Sequence, residues 1–173
     1  MPEGRATSTR PRTENEAAPS RRKIVLVYAL TAAGTLAWLS GILLAPYASS
    51  RGWRGAGLLY ALYSPVCHQL ASRSLRAWGA TLAVCSRCFG IYLGFGAGVI
   101  SYPFVRGLRR VSLPATRLFL LVSAPIVADT ATNVLRFWTT PAVIRLATGI
   151  LWGILLPYYF ITGFAELRLS RRG

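Results

Sequence analysis

The sequence predicts an all-α integral membrane protein: a helical bundle with about four transmembrane helices and a short interfacial or re-entrant helix. Hydrophobic residues make up 53% of the 173 residues, and only 14% are charged. The mean hydropathy of +0.43 is too high for a soluble domain with so little charge to cover its surface. The apolar residues are concentrated in long blocks flanked by arginines, so lipid is the expected solvent.

The first predicted span covers residues 24–45, an uncharged run about 33 Å long as a helix, against a hydrocarbon core of roughly 30 Å. Residues 1–20 are polar and poor in large apolar side chains, so we expect a disordered tail. The basic residues 21–23 resemble the start of a signal peptide. The apolar run exceeds the usual ~7–15 residues of such a peptide, however, which indicates an uncleaved membrane anchor.

Four further segments follow the first span. Residues 53–66 form an apolar run that ends at Pro65 and is too short to cross a bilayer, so an interfacial or re-entrant helix is expected there. Spans two, three and four are predicted over residues 88–105, 116–135 and 141–165. The third is the weakest of these, because it becomes polar at the sequence DTATN.

Glycines mark one face of the second span. Gly90, Gly94 and Gly98 recur at intervals of four residues, so they share one side of a helix. Small residues on such a face let two helices approach closely within a membrane. We therefore expect the second span to pack tightly against another helix.

Four spans place both termini on one side of the membrane. Basic residues cluster before the first span, between the second and third, and after the fourth, as in cytoplasmic segments. The sequence thus predicts a multi-pass cell-membrane protein with cytoplasmic termini, one membrane domain over residues 21–168 and a basic tail over 169–173. The outer loop, residues 46–83, also carries arginines, either as solvated charge or as a surface for an anionic ligand or lipid headgroup: Arg51, Arg54, Arg73 and Arg76.

The net charge constrains the partners. It is +15, from 20 basic and five acidic residues. In a soluble chain this balance suggests nucleic acid, but here the arginines flank apolar blocks and no basic patch with interleaved aromatic residues is present. We therefore expect no nucleic acid, and anionic lipid headgroups as partners at about 1 kcal/mol per basic residue near the surface. The sequence does not determine the oligomeric state.

The three cysteines and the single histidine all lie between residues 67 and 88. Cys85 and Cys88 form a Cys-x-x-Cys pair, whose spacing lets both sulfurs reach one ion at about 2.3 Å. Cys67 and His68 supply a second half, so the sequence predicts a metal site, with Zn²⁺ expected and iron as the alternative. Adjacent side chains on a helix diverge, so both can bind only where the chain bends, which the nearby Pro65 favours.

Two other interpretations of the cysteines stay open. The first is a thiol redox pair, because Arg87 and a helix N-terminus would stabilise a thiolate. Against it, three cysteines leave no complete relay pair. The second is unreactive cysteines packed in the protein, beside a hydrogen-bonded histidine.

A second polar group is expected at the same end of the bundle. Asp129 is the sole carboxylate between positions 17 and 165, and Asn133 and Arg136 follow at i+4 and i+7 on the same helical face. A carboxylate in a span costs about 2.5–3.5 kcal/mol on insertion scales, so it should face a partner or a wet cavity. Arg136 or Arg145 is the expected partner, in a structural ion pair or in a functional site.

The segment CHQLASRS, followed by GATLAVCSRCFGIYLGFGAG and later by Asp129 and RLATG, resembles a family of small predicted membrane proteins of bacteria and archaea that is catalogued as a domain of unknown function. Its hallmark is Cys-His-Gln, then Arg-Ser, then Cys-x-Arg-Cys-x-Gly-x-Tyr-x-Gly. The resemblance covers residues 66–153, with Thr130 and Ala142 where the family tends to have Gly and Asn. The matching residues are Cys67, His68, Gln69, Arg73, Ser74, Gly79, Cys85, Arg87, Cys88, Gly90, Tyr92, Gly94, Asp129, Arg145, Thr148 and Gly149.

The resemblance supplies no activity, so three functions are considered. One is a binding or scaffold module in which zinc locks the outer loop onto the second span. Another is a membrane metalloenzyme acting on a lipid-borne substrate, with water at an open metal position and Asp129 and Arg145 as candidate catalytic residues. The third is a thiol–disulfide protein coupled to quinone. Beside the metal we expect a polar pocket of Gln69, Arg73, Arg87, Tyr92, Asn133 and Arg136.

Overall fold

The computed structural model describes residues 21–105, 116–135 and 139–170, with side chains up to residue 164. The predicted tail at 1–20 lies outside these ranges, as does the end of the predicted basic tail. Within them the all-α membrane class is confirmed. The elements are α1 (Arg21–Ser50), α2 (Ala56–Tyr63), a 3-10 turn (Ala71–Arg73), β1 (Arg76–Ala77), β2 (Ala80–Thr81), α3 (Ser86–Val105), α4 (Thr116–Val134) and α5 (Ala142–Ser170).

Among the described residues, three helices are long and apolar enough to cross a membrane: α1, α3 and α5. Helix α4 forms over the third predicted span but does not belong to this group, so the predicted four spans exceed the three that length and composition support. The physical reason is the polar end of α4, where Asp129, Thr130, Thr132 and Asn133 interrupt the apolar run.

The packing of the other helices determines the direction in which α4 runs. Helices α3 and α5 run parallel, since Gly90 packs on Leu146 and Gly98 packs on Ile154. The chain must therefore run back along the bundle from the end of α3 to the start of α5. Helix α4 makes this return antiparallel to α5, with the ring of Phe119 5.4 Å from that of Tyr159, and it ends beside the start of α5.

Glycines bring the backbones of α3 and α5 into direct contact. A Cβ atom added to Gly94 would lie 2.3 Å from the carbonyl oxygen of Ile150, and one added to Gly153 would lie 2.3 Å from that of Ile91. No side chain fits at such distances, so glycine is required on both sides of the interface. The glycine face predicted for the second span is the surface on which α5 packs.

Helix α1 packs antiparallel to α3, because Tyr28 stacks on Tyr102 with ring centroids 6.3 Å apart and Trp38 meets Tyr92 at 5.8 Å. Its contacts are concentrated at its two ends. No residue between 25 and 41 is buried, whereas the buried residues at the ends include Ile24, Ile42, Ala45 and Ala48. The middle of α1 is therefore packed less closely than its ends, although Thr35 and Leu39 approach α3 at Gly96.

The connection from α1 to α3 covers one end of the bundle. Helix α2 has eight residues, about 12 Å of helix, which agrees with the prediction that this segment does not cross the membrane. The buried Tyr63 ties α2 to α1, since its hydroxyl donates to the carbonyl of Trp38 at 2.8 Å. The hydroxyl of Tyr60 donates to the carbonyl of Thr81 at 2.6 Å.

A short β-hairpin in this connection was not predicted. Strands β1 and β2 pair antiparallel and are joined by Trp78 and Gly79, whose φ angles are 51° and 82°. Positive φ at both positions is typical of a two-residue hairpin turn. Strands of two residues are too short to produce the alternating pattern by which a strand is recognised in a sequence.

Replacing Gly94 with Ala should destabilise the protein. The added Cβ would meet the backbone of Ile150, and overpacking of this kind costs about 1–3 kcal/mol. We expect the midpoint of thermal unfolding in detergent, followed by circular dichroism, to fall by roughly 5 °C. The matched control is Gly163→Ala, where a Cβ meets nothing within 4 Å. Equal effects of the two substitutions would contradict the close packing of α3 on α5.

Candidate metal centre

Three cysteines meet at the N-terminus of α3. Cys85 immediately precedes the helix and Cys88 lies in its first turn, while Cys67 follows α2. The three Sγ atoms all lie within 4.8 Å of one another. All three thiols are free, so the structure brings together sulfur atoms from two separate parts of the chain without a disulfide.

Helix α2 holds Cys67 in place. The backbone N–H of Cys67 donates to the carbonyl of Tyr63 at 3.0 Å, so the residue continues from the end of the helix. Its Sγ accepts a hydrogen bond from the backbone N–H of Cys85 at 3.2 Å. Cys67 is only 7% exposed, so it reaches the cluster from inside the protein.

The surroundings of Cys85 favour the thiolate, which is the form that binds metals. A hydrogen bond from the Cys88 thiol lowers the pKa of Cys85 most, against the opposing effect of burial. The backbone N–H groups of Cys88 and Arg87 lower this pKa further, as expected for donors at the start of a helix.

The structure does not place His68 in the cluster. Its side chain is exposed, and the three cysteines are the group that could share one ion among the described Cys, His and acidic residues. The physical reason is that neighbouring side chains in a non-helical segment point in different directions. Since Cys67 points inward, His68 points outward. Of the expected three cysteines and one histidine, the structure thus brings together the three sulfur atoms, which could share one ion.

An ion pair joins α3 to α4 next to the cysteines. The Nε of Arg87 donates to Oδ2 of Asp129 at 3.0 Å, and Nη2 donates to the same oxygen. The two side chains are 21% and 5% exposed. The expectation that Arg145 pairs directly with Asp129 is corrected here, because the antiparallel course of α4 brings Asp129 level with the first turn of α3, whereas the expectation for Arg136 stays a prediction. Arg136 lies outside the described residues.

Asn133 extends this pair into a network. Its Nδ2 donates to Oδ1 of Asp129 at 3.1 Å and to the hydroxyl of Thr140 at 2.5 Å. Its Oδ1 accepts a hydrogen bond from Nη2 of Arg145 at 2.7 Å. Arg145 is 8% exposed, and its buried Nε has no hydrogen-bond partner among the described residues. Two guanidinium groups and one carboxylate give this buried network a net charge of +1.

The other residues expected in the polar pocket have different roles. Gln69 adopts a left-handed φ of 52°, and its side chain donates to the carbonyl of Tyr60 at 2.6 Å, which fixes the loop after α2. The side chain of Arg73 is exposed, although its carbonyl accepts a hydrogen bond from Ser86 at 2.9 Å. Tyr92 packs against Trp38 rather than joining the network.

Helices able to cross a membrane, with thiols and a buried charged network at one end, define a multi-pass helical membrane protein. The chain belongs to the family described as "Predicted membrane protein (DUF2085)", whose model matches residues 67–159. This range contains the three cysteines and the Arg87–Asp129–Asn133–Arg145 network. The family membership confirms the resemblance to a domain of unknown function.

Two curated archaeal relatives are similar to this chain. An uncharacterized protein of Methanocaldococcus jannaschii, MJ1492, is 32% identical over 146 residues, which cover 81% of this chain and 94% of the relative. An uncharacterized protein of Methanothermobacter thermautotrophicus is 32% identical over 89 residues, which cover 51% of this chain and 78% of the relative. No solved structure matches the chain significantly.

A double-mutant cycle tests the ion pair of Arg87 and Asp129. Removing one partner leaves the other without its direct counter-charge. Because Arg87 is partly exposed and Asn133 still bonds Asp129, Arg87→Met and Asp129→Leu should each destabilise the protein by up to about 3 kcal/mol, the lower end of the range for a broken buried pair. Removing both should cost less than the sum of the two, because neither member of the pair is then left without the other. The measurement is unfolding in detergent for the four proteins. Strictly additive effects would contradict the pairing.

Proposed function

We propose that this chain is a membrane protein that binds a thiophilic metal ion, with Zn²⁺ as the expected metal, through Cys67, Cys85 and Cys88. The observation that supports the proposal is the approach of three Sγ atoms to within 4.8 Å of one another. Around one zinc ion with Zn–S distances near 2.3 Å, tetrahedral sulfurs lie about 3.8 Å apart. Small side-chain rotations therefore suffice to form the site.

A site with three thiolates leaves the fourth tetrahedral position for water or for a small ligand. Zinc with three thiolates carries a charge of −1. The adjacent network has a net charge of +1, from Arg87, Arg145 and Asp129, and so offsets it. This complementarity favours three deprotonated cysteines at the end of the bundle, and it gives the cationic network a role in metal affinity.

The metal would tie the outer connection to the membrane helices. Cys67 belongs to the segment after α2, whereas Cys85 and Cys88 belong to the start of α3. A shared ion cross-links these segments, so metal binding contributes directly to stability. Within this proposal we favour a binding or scaffold role over catalysis. Both carboxylate oxygens of Asp129 accept hydrogen bonds from Arg87 and Asn133, which leaves Asp129 unsuited to act as a general base.

Thiol–disulfide exchange is the second candidate. It is favoured by the position of Cys85 just before α3, with Cys88 in the first turn and the pKa of Cys85 lowered. Oxidation of this pair to a disulfide releases two electrons and two protons, so a membrane quinone would have to accept them. Cys67 then has no partner, which makes the metal site the better-supported function.

We also propose that the cysteine end faces the outside of the cell membrane and that the termini are cytoplasmic. Support comes from the basic residues at the opposite end, beginning with residues 21–23. The outer arginines of the connection have exposed side chains and would contact anionic lipid headgroups. These residues are Arg51, Arg54, Arg73 and Arg76.

Metal analysis of the purified full-length protein tests the main proposal. We expect about one zinc per chain in the wild type and loss of nearly all of it in the Cys85→Ser, Cys88→Ser double variant. His68→Ala is the matched control and should keep its metal, because this side chain is exposed outside the cluster. A wild-type protein that stays free of metal after incubation with zinc would overturn the proposal.

Labelling of the thiols in cells is a second, separate test of the proposal. In intact cells, a membrane-impermeant maleimide should label the cysteines only after zinc is removed with a chelator. Labelling that first requires a reductant would instead support the disulfide function. Labelling that occurs only in broken cells would contradict the proposed orientation.

A further inference from the structure

A groove lies between the middle of α1 and the helices α3 and α5. It has a volume of about 480 Å³, within the ~300–1,000 Å³ range of ligand-binding sites. It belongs to the three helices that are able to cross a membrane. Residues 26–39 of α1 form one wall, and the other walls are Tyr92, Phe95, Phe160 and Phe164.

The fold keeps this groove open. Helix α1 is buried against its neighbours at Ile24 and at Ile42, with 2% and 0% exposure, whereas no residue from 25 to 41 is buried. Gly34 lines the groove, yet a Cβ added there would meet nothing within 4 Å. By contrast, a Cβ added to Gly90 would touch the backbone of α5. The groove thus runs along α1 between the buried ends of this helix, beside the approach of Thr35 and Leu39 to Gly96.

The position of the groove indicates what fills it. The helices α1, α3 and α5 that form it are the three described helices able to cross a membrane. The groove therefore lies at the depth of the lipid hydrocarbon, and its lining extends over roughly 20 Å of α1 from Leu26 to Leu39. A lipid acyl chain is the molecule that meets this lining in a bilayer, whereas a second copy of the chain would have to displace it.

We propose that this groove is a binding site for a single acyl chain of a membrane lipid. The lining is aromatic and aliphatic, with the threonine hydroxyls of Thr31 and Thr35 turned back to the α1 carbonyls of Val27 and Thr31. Most of the lining therefore offers dispersion contacts. Its other polar groups belong to one end of the groove: the Tyr92 hydroxyl and the buried Nε1 of Trp38, which has no hydrogen-bond partner among the described residues. One end of the groove reaches Trp38 and Tyr92, which pack against the cluster that contains Cys67. A bound chain would thus end beside the cysteines, but its binding does not require a metal.

Photocrosslinking of the full-length protein in phosphatidylcholine nanodiscs tests this site. The probe is a 16-carbon fatty acid with a diazirine in the middle of its chain, and modified residues are mapped by mass spectrometry. We expect modification to be at least several-fold higher on residues 26–39, Phe95 and Phe160 than on exposed apolar residues outside the groove. Suitable reference residues are Ile100, Leu121 and Leu151.

Filling the groove should remove this preference. Gly34→Phe should reduce modification of the groove several-fold, and Gly34→Leu should reduce it by less. The control Gly163→Phe should leave it unchanged, because Gly163 also has open space around it but does not line the groove. The midpoint of thermal unfolding in detergent, followed by circular dichroism, checks the folding of each variant, and zinc content is measured separately. Since Gly34 is not a ligand, failure of this site and failure of the metal site are distinguished.

Two results would overturn the proposal. Even modification of all exposed apolar residues would mean ordinary contact with bulk lipid. Protein–protein crosslinks through residues 26–39 that replace lipid crosslinks would mean that a second copy of the chain covers the groove.

Discussion

The contact between the backbones of α3 and α5 is the constraint on which the rest of this structure depends. Glycines on both helices allow the contact, with added Cβ atoms at Gly94 and Gly153 each 2.3 Å from a carbonyl oxygen. The two helices are parallel, so the chain has to return between them, and α4 is the return segment. This arrangement places the start of α3, the end of α4 and the start of α5 at one end of the bundle, where the three cysteines and the Arg87–Asp129–Asn133–Arg145 network lie.

The first turn of α3 connects the two polar clusters at this end. Cys85 and Cys88 contribute to the sulfur cluster, and Arg87 between them pairs with Asp129 on α4. Tilting or shifting this turn would disturb both clusters together. The ion pair therefore positions the thiols, and a metal at the thiols would in turn hold the buried cationic network against the desolvation cost of its charges.

Sequence patterns predicted much of this arrangement. The long apolar runs predicted the helices, and the spacing of the glycines predicted the interface of α3. Both predictions were possible because these patterns are local properties of composition and periodicity. The proximity of Cys67 to the Cys-x-x-Cys pair followed from topology. Three features were not predicted: the exposure of the His68 side chain, the pairing of Asp129 with Arg87 rather than Arg145, and the groove beside Gly34. They depend on the direction of side chains and on the distance between helices. These two quantities are set by tertiary packing and are not encoded in a local sequence pattern.

The central claim is a metal ion held by three cysteine sulfurs at the head of α3. X-ray absorption spectroscopy of the zinc-loaded, full-length protein tests it most directly, because it counts the ligands and their types. The account predicts three sulfur atoms near 2.3 Å and one nitrogen or oxygen atom near 2.0 Å, unchanged in the His68→Ala variant. A shell of nitrogen and oxygen atoms without sulfur, or loss of the light-atom imidazole signal in that variant, would contradict it.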